Sequence, residues 1–340
     1  MTSTFEGTVL AGPDLEPVEG RVVVEDGRVA AVEERATDST DIVLPAFVNA
    51  HTHIGDSVAK EAGEGLSLDD LVAPPDGLKH RLLREADEAE LVEAMRRTAD
   101  YMRATGTGAF LEFREGGVEG VRALGRAVAD SDLRAVVLGR DTVAAMEEGD
   151  GFGASGARDA DFTAERRATR EAGKLFGIHA GERDPTDVNA ALDLDPDFLV
   201  HMVHLREVHL ERLASRDTPV VVCPRSNLVT GVGLPPFEEL VERTTVALGT
   251  DNAFLNAPSM FREMEFAAKL SALSARQVLR MATVDAARVA RLDGGVLASG
   301  RPARLLVLDG DSDNLAGVRD PVRAVVRRAG VGDVKRVLLA

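Results

Sequence analysis

Two histidines one residue apart, His51 and His53, close the apolar run Ile42-Val43-Leu44-Pro45-Ala46-Phe47-Val48-Asn49-Ala50. An unbroken stretch of large and β-branched apolar residues predicts a buried strand. Residues i and i+2 of a strand face the same side, so this strand ends with two imidazoles side by side and Thr52 turned away. Imidazole is the commonest protein ligand for a divalent transition metal. Two alone hold a metal weakly, so further donors must come from elsewhere in the chain. Of seven histidines, five lie at the ends of predicted strands: His51, His53, His179, His201 and His204. His179 ends Leu175-Phe176-Gly177-Ile178, and His201 ends Asp197-Phe198-Leu199-Val200. Asp251 follows Thr245-Val246-Ala247-Leu248-Gly249-Thr250. Three imidazoles and one carboxylate suit Zn²⁺ and leave a position for water, while Fe²⁺ and Mn²⁺ accept the same donors. Glu182, three residues after His179, can stand beside such a set without joining it. A bound divalent ion lowers the pKa of water to about 7. A nearby carboxylate can then take the proton and return it to a leaving group.

The elements that must position these groups alternate strand and helix. Strand candidates lie at 45–51, 107–113, 133–139, 150–155, 175–180, 198–203, 218–222 and 245–250, with helical patterns at 85–103, 165–174, 205–215, 258–270 and 275–291. Alternating βα units build a parallel sheet, and eight of them close into a (β/α)8 barrel over residues 45–295. Chemistry in such barrels sits at the C-terminal ends of the strands, where the histidines fall. Both chain ends are β-rich instead, with strands expected at 7–11, 20–25, 27–32, 304–309, 324–327 and 334–339, and Asp26-Gly27 as a hairpin turn. The economical assembly is one composite β-sandwich domain from 1–44 and 296–340. Residues 54–82, rich in Gly, Pro and acids, form a long first connection suited to a lid over the barrel mouth.

Composition narrows the function classes. The chain has 340 residues, 57 Asp plus Glu against 40 Lys plus Arg, and a net charge of -17. That sign argues against nucleic acid as the partner. Lysine occurs only at 60, 79, 174, 269 and 335. A solvated acidic surface so poor in Lys suits work in high salt, where screening removes self-repulsion. No apolar stretch reaches the roughly 18–20 residues that span a bilayer, and Met1 to Gly7 lacks the features of a signal peptide. A single cysteine, Cys223, forms no internal disulfide and fits a reducing cytoplasm. Cys223 has no motif pairing it with a base, so a structural role is expected. Gly151-Phe152-Gly153-Ala154-Ser155-Gly156 lacks the Lys-Ser/Thr ending of a phosphate loop and reads as a strand terminus. A homodimer is the default assembly.

The order of motifs resembles the amidohydrolase superfamily across nearly the whole chain. The matching segments are Leu44-Pro45-Ala46-Phe47-Val48-Asn49-Ala50-His51-Thr52-His53, His179-Ala180-Gly181-Glu182, Val200-His201-Met202-Val203-His204-Leu205, Cys223-Pro224-Arg225-Ser226-Asn227 and Leu248-Gly249-Thr250-Asp251-Asn252. Pro302-Ala303-Arg304-Leu305-Leu306-Val307-Leu308-Asp309 looks like the return to the β domain, with Arg304 where an acidic residue is usual. Members with two metals often bridge them with a carboxylated lysine on the fourth strand. No lysine lies between Lys79 and Lys174 here, and the His179-Ala180-Gly181-Glu182 motif instead resembles the mononuclear deaminase and chlorohydrolase-like (cytosine deaminase-like) branch. The resemblance implies one divalent ion, Zn most readily, on His51, His53, His179 and Asp251. Glu182 would shuttle protons, with His201 stabilising the tetrahedral centre.

The implied reaction is hydrolytic deamination of an aminated heterocycle or nucleoside-like compound. Cyclic amide hydrolysis, as in imidazolonepropionase-like relatives, and chloride or methylthio displacement share the same layout. A non-catalytic scaffold is the alternative of another class. Arg114 and Arg140 end the second and third strands and Arg225 sits inside a motif. Their plainer role is surface salt bridging; together they can instead recognise a carboxylate or phosphate. His204 and Asn252 are further candidates for substrate contact, while His80 and His209 lie in helical patterns as surface or packing residues.

Overall fold

The computed structural model describes residues 2–340. In chain order the strands are β1 (Thr2–Ala11), β2 (Glu16–Glu25), β3 (Arg28–Glu34), β4 (Ile42–Pro45), β5 (Phe47–His53), β6 (Thr107–Arg114), β7 (Arg134–Gly139), β8 (Gly151–Ala154), β9 (Leu175–Ala180), β10 (Phe198–His201), β11 (Val220–Val222), β12 (Val246–Leu248), β13 (Asp251–Asn252), β14 (Arg304–Leu308) and β15 (Val334–Leu339).

β5 to β12 run parallel in sequence order, each paired to the next. β13 then pairs in parallel with β5, placing Asp251 opposite Thr52. Only Gly249 and Thr250 separate β12 from β13, and the Thr250 N–H donates to the His51 carbonyl at 3.0 Å. The eighth strand thus bonds β11 with one half and β5 with the other, and the barrel closes. The first barrel strand begins at Phe47 and runs through His53, because Pro45 belongs to the terminal sheet. The interior is filled by Val48, Leu111, Phe113, Leu138, Leu175, Phe198, Val200 and Val221. The outer helices include Thr163–Ala172, Glu207–Arg216 and Met260–Leu270 near their predicted positions. The pattern at 85–103 is helix Glu88–Ala104, started by the Asp87 side chain, which accepts from the Glu90 N–H at 2.8 Å. The pattern at 275–291 is two helices, Ala275–Met281 and Val284–Val289, broken at Thr283, whose hydroxyl donates to the Leu279 carbonyl.

The chain ends meet in a six-stranded sheet of order β15-β14-β4-β1-β2-β3. Where two facing sheets were expected, β4 joins all six strands into one: it is parallel to β1 and antiparallel to β14. One face buries Phe5, Val9, Val22, Val43, Leu305 and Val307; the other sets Leu10, Ile42, Leu44, Leu306 and Leu308 against the barrel helices. Asp26 and Gly27 both take positive φ, 47° and 75°, as a two-residue hairpin turn requires. The strand expected at 324–327 is instead part of helix Pro321–Arg327. Asp320 accepts from the Arg323 N–H at 2.9 Å and Pro321 takes the first turn, a start signal that outweighs a short apolar run.

Residues 54–82 carry a 3-10 turn, Ile54–Ala59, and two helices, Leu68–Val72 and Leu78–Glu85. They lie over the barrel mouth, where Val72, Ala73, Pro74 and Lys79 line the central pocket. Asp56 accepts from the Phe254 N–H at 3.0 Å, and the Glu61 N–H donates to the Phe254 carbonyl at 2.8 Å, tying this lid to the turn that follows the eighth strand.

Candidate metal centre

β5 delivers His51 and His53 to the mouth on one face, β9 delivers His179 and β13 delivers Asp251. His51 Nε2 lies 3.3 Å from His179 Nε2 and 3.4 Å from Asp251 Oδ1; His53 Nε2 lies 3.7 Å from the same oxygen. One donor atom from each of the four falls within 4.8 Å of all the others. Phe113 floors the cluster, its ring 4.7 Å from His51 and 5.1 Å from His179. Gly153 and Gly177 make that possible, since a Cβ on either would meet the Phe113 ring at 2.6 Å.

The outer nitrogens fix the rings. His53 Nδ1 bonds Glu115 Oε1 at 2.8 Å, and His179 Nδ1 bonds the Ala154 carbonyl at 2.8 Å. Both partners are acceptors, so each Nδ1 carries the hydrogen and each Nε2 turns a lone pair inward. Asp251 is held by the Ser226 hydroxyl, which donates to Oδ2 at 2.5 Å, and by Asn252 Nδ2, which donates to Oδ1 at 2.9 Å. Burial lowers the pKa of all three imidazoles, that of His53 to about 3, so they stay neutral. Burial opposes the charge on Asp251, but its hydrogen bond with His51 holds the carboxyl well below the usual range. Two inward lone pairs and an ionised carboxylate oxygen crowd one buried point, with the His51 Nε2 among them. Such a convergence fits a divalent cation; the donor set of three nitrogens and one oxygen is that of a zinc-type site.

Glu182, His201 and Asp251 form a second convergent group beside it. Asn227 Nδ2 donates to His201 Nδ1 at 3.1 Å, which leaves the hydrogen on His201 Nε2, 3.7 Å from Glu182 Oε2. Burial raises the Glu182 pKa and the Asp251 charge adds to it, against the pull of His201. His201 and Asp251 both sit at positive φ, 76° and 58°, a conformation uncommon outside glycine and concentrated at functional sites.

Comparison with known proteins follows this geometry. The amidohydrolase family model matches residues 42–183 and 163–339. The chain belongs to the amidohydrolase family. A Methanothermobacter thermautotrophicus protein named as an aminohydrolase is 36% identical over 95% of this chain and 93% of its own length. A 5-methylthioadenosine/S-adenosylhomocysteine deaminase of Halobacterium salinarum is 27% identical, over 99% of this chain and 91% of its own. The crystal structure of an adenosine deaminase from Xanthomonas campestris with bound zinc has the same fold, at a TM-score of 0.83 and 20% identity, over 98% of this chain and 91% of that one. Within the family the chain falls in the deaminase and chlorohydrolase-like branch, as its motifs implied, and is a hydrolase acting on carbon–nitrogen bonds. No helix among the described residues is long and apolar enough to cross a membrane.

The amidohydrolase pocket is also lined by Arg140, Ser155, Gly156, Arg158, Arg183 and Asn252. Of the five residues expected at the substrate, Arg140 and Asn252 line it; Arg114, Arg225 and His204 do not. Nor are the arginines surface residues: Arg114 is 3% exposed and Arg225 6%. Arg114 Nε donates to the Gly120 carbonyl. Arg225 binds Glu263, the Ala257 carbonyl and Asn256, which pins the helix Pro224–Thr230 that carries Ser226 and Asn227. The His204 N–H donates to the Gly181 carbonyl beside Glu182. Cys223 is buried with its thiol pKa pushed well up by burial, as an inert packing residue would be. His209 is buried in packing, its Nδ1 accepting from the Arg206 N–H, while His80 bonds the Val72 carbonyl within the lid. Sequence reasoning missed Lys79, Phe113, Glu115 and the roles of Ser226 and Asn227. The last two stand inside a quoted motif; Glu115 follows directly on a strand end.

Proposed function

We propose that this chain is a mononuclear metal-dependent deaminase of an aminated heterocycle or nucleoside-like compound, with one Zn²⁺ on His51, His53, His179 and Asp251. One observation carries the reading. A carboxyl with a raised pKa, Glu182, faces the His201 Nε2–H across a cluster of inward-pointing metal donors. The names of the two deaminase relatives and the zinc in one of them support it. A divalent ion there supplies the Lewis acidity that makes water nucleophilic near neutral pH. The chain's own groups do the rest. Glu182 takes a proton from the attacking water as its oxygen adds to the carbon bearing the amino group. The His201 Nε2–H stabilises the tetrahedral centre that results. Asp251, clamped by Ser226 and Asn252, accepts a hydrogen bond that orients the water. Glu182 then gives its proton to the departing nitrogen, the carbon–nitrogen bond breaks and ammonia leaves; the hydroxyl proton that remains moves to the ring nitrogen, which gives the oxo product.

The cavity beneath the lid is about 70 Å³, smaller than the roughly 300–1,000 Å³ of small-molecule sites, which supports a lid that moves to admit a heterocycle. We further propose a cytoplasmic enzyme of high-salt surroundings, homodimeric by default, acting on small molecules rather than nucleic acid or membrane. Elemental analysis followed by an ammonia-release screen in molar salt, over aminated purines, pyrimidines and pterins, tests the reading. One metal per chain and ammonia from one class are expected. Two metals per chain would overturn the mononuclear site; turnover of a chlorinated or cyclic-amide panel without ammonia would overturn deamination.

A further inference from the structure

Among the described residues, the one buried lysine belongs to the lid. Lys79, in the first turn of helix Leu78–Glu85, is 3% exposed, whereas Lys60, Lys269 and Lys335 are exposed and Lys174 is partly so. A buried ammonium is costly unless its hydrogens are matched. Lys79 Nζ donates to Glu115 Oε1 at 2.7 Å and to Asn252 Oδ1 at 2.8 Å, with Asp56 Oδ2 at 3.6 Å. Glu115 and Asn252 belong to the barrel, and each touches one of the four metal donors. The Glu115 oxygen that receives Lys79 also receives His53 Nδ1 at 2.8 Å. The Asn252 amide that receives Lys79 donates through its nitrogen to Asp251 Oδ1 at 2.9 Å. One lid side chain therefore reaches the outer supports of two donors on opposite sides of the barrel seam, where β13 closes onto β5. The lid's other charged tie, Arg183 to Asp69 at 2.5 Å, is solvent-facing and touches neither support.

We propose that Lys79 is a positioning residue through which lid closure completes the metal centre: its ammonium, seated between Glu115 and Asn252, fixes the His53 ring and the Asp251 carboxylate. This rests on the metal-centre reading above. When the lid lifts to admit substrate, the ammonium leaves and both supports lose a partner. The centre reaches its working geometry only over a sequestered substrate. Because Asn252 takes Lys79 with its oxygen, its nitrogen is turned to Asp251; without the lysine that amide is free to rotate.

Coupling of this kind is reciprocal: if the seated lysine tightens the metal, the metal must hold the lysine down by the same factor. The wild-type chain therefore tests the idea first. Zinc loading should slow amide hydrogen exchange across residues 60–86 at least ten-fold, with the outer barrel helices unchanged. Lys79→Met, which keeps chain length and removes the donor, should abolish most of that protection. It should also weaken zinc, measured by equilibrium competition with a chelator, by about 10–100-fold, the usual effect of losing a partner of a metal ligand. Glu115→Gln should weaken zinc comparably, and the double variant by less than the product of the two single losses, because part of the Lys79 effect runs through Glu115 and part through Asn252. Zinc that binds wild type without protecting the lid overturns the proposal, even where Lys79→Met fails to fold. So does a Lys79→Met variant with wild-type zinc affinity, or affinity losses that multiply in the double variant; Lys79 is then a lid anchor only. A wild-type chain that takes up no zinc overturns this and the metal reading together. Zinc-loaded enzyme that releases no ammonia from any substrate overturns the deaminase reading alone.

Discussion

His53 and His179 show how an imidazole is readied to accept a metal: an acceptor on Nδ1 commits the lone pair on Nε2. Asp251 is prepared by the Ser226 hydroxyl and the Asn252 amide. Ser226→Ala should therefore fold normally yet weaken zinc about 10–100-fold, read by chelator competition; unchanged affinity would show that Asn252 alone suffices. Glu182 stands outside the four-residue group, beside Asp251 and His201, and burial raises its pKa above the ordinary carboxyl value, the direction that suits a proton carrier. Glu182→Gln keeps the shape and removes the titrating group. Zinc content should stay at one per chain while kcat falls by roughly 10³-fold or more, since one residue serves two transfers each within the usual 10²–10⁴ of general acid–base catalysis. Retention of a tenth of the activity would remove Glu182 from that role.

Among elements, the seam between the eighth strand and the first is the most constrained. A Cβ on Gly249 would stand 2.7 Å from His51 Cβ and 2.9 Å from His51 N, both immovable at the barrel wall. Gly249→Ala should lower both the melting temperature and zinc affinity, because any relief displaces His51. The start of the lid hangs on Glu112 of β6, which accepts from the Thr52 hydroxyl at 2.6 Å and the Ile54 N–H at 2.8 Å. Burial lifts its pKa from 4.5 to about 7. The folded chain therefore keeps a proton that the unfolded chain has lost, so this contribution is complete below pH 4.5 and fades as pH rises through 7. The melting temperature of wild type relative to Glu112→Gln should fall between pH 5 and pH 8; a flat difference would mean Glu112 is ionised throughout. These supports were the part that sequence could not show. The barrel strands were legible because a buried parallel strand is a continuous apolar run, and the four residues that converge at the barrel mouth because they end such runs. Glu112, Glu115 and Lys79 look like any surface charge until the fold brings partners to them. The lid's two helices were hidden by the Gly, Pro and acid content of their connection, and the helix at Pro321–Arg327 by three apolar residues that also suit a strand.

For the whole molecule, the net charge of -17 sets the stability problem. Many exposed arginines are already paired, as in Arg103–Asp132 and Arg122–Glu148. Exposed pairs are each worth about 0–1 kcal/mol, and salt weakens them. The acidic excess acts the other way: it repels itself, and salt relieves that repulsion as the Debye length shortens from about 30 Å at 0.01 M to about 3 Å at 1 M. The two effects oppose each other, and the unpaired excess decides the sign, because paired charges largely cancel in the long-range field. The melting temperature should therefore rise between 0.1 M and 2 M KCl. Salts excluded from protein surfaces strengthen apolar burial in any protein, so the slope needs an internal control. Replacing a set of exposed acids that have no arginine partner, such as Glu211, Glu239, Glu242 and Asp311, by Gln leaves the core and every ion pair intact. That variant should show a flatter salt dependence and gain stability at 0.1 M KCl. An unchanged slope would place the salt effect in apolar burial and leave the acidic surface without a part in it.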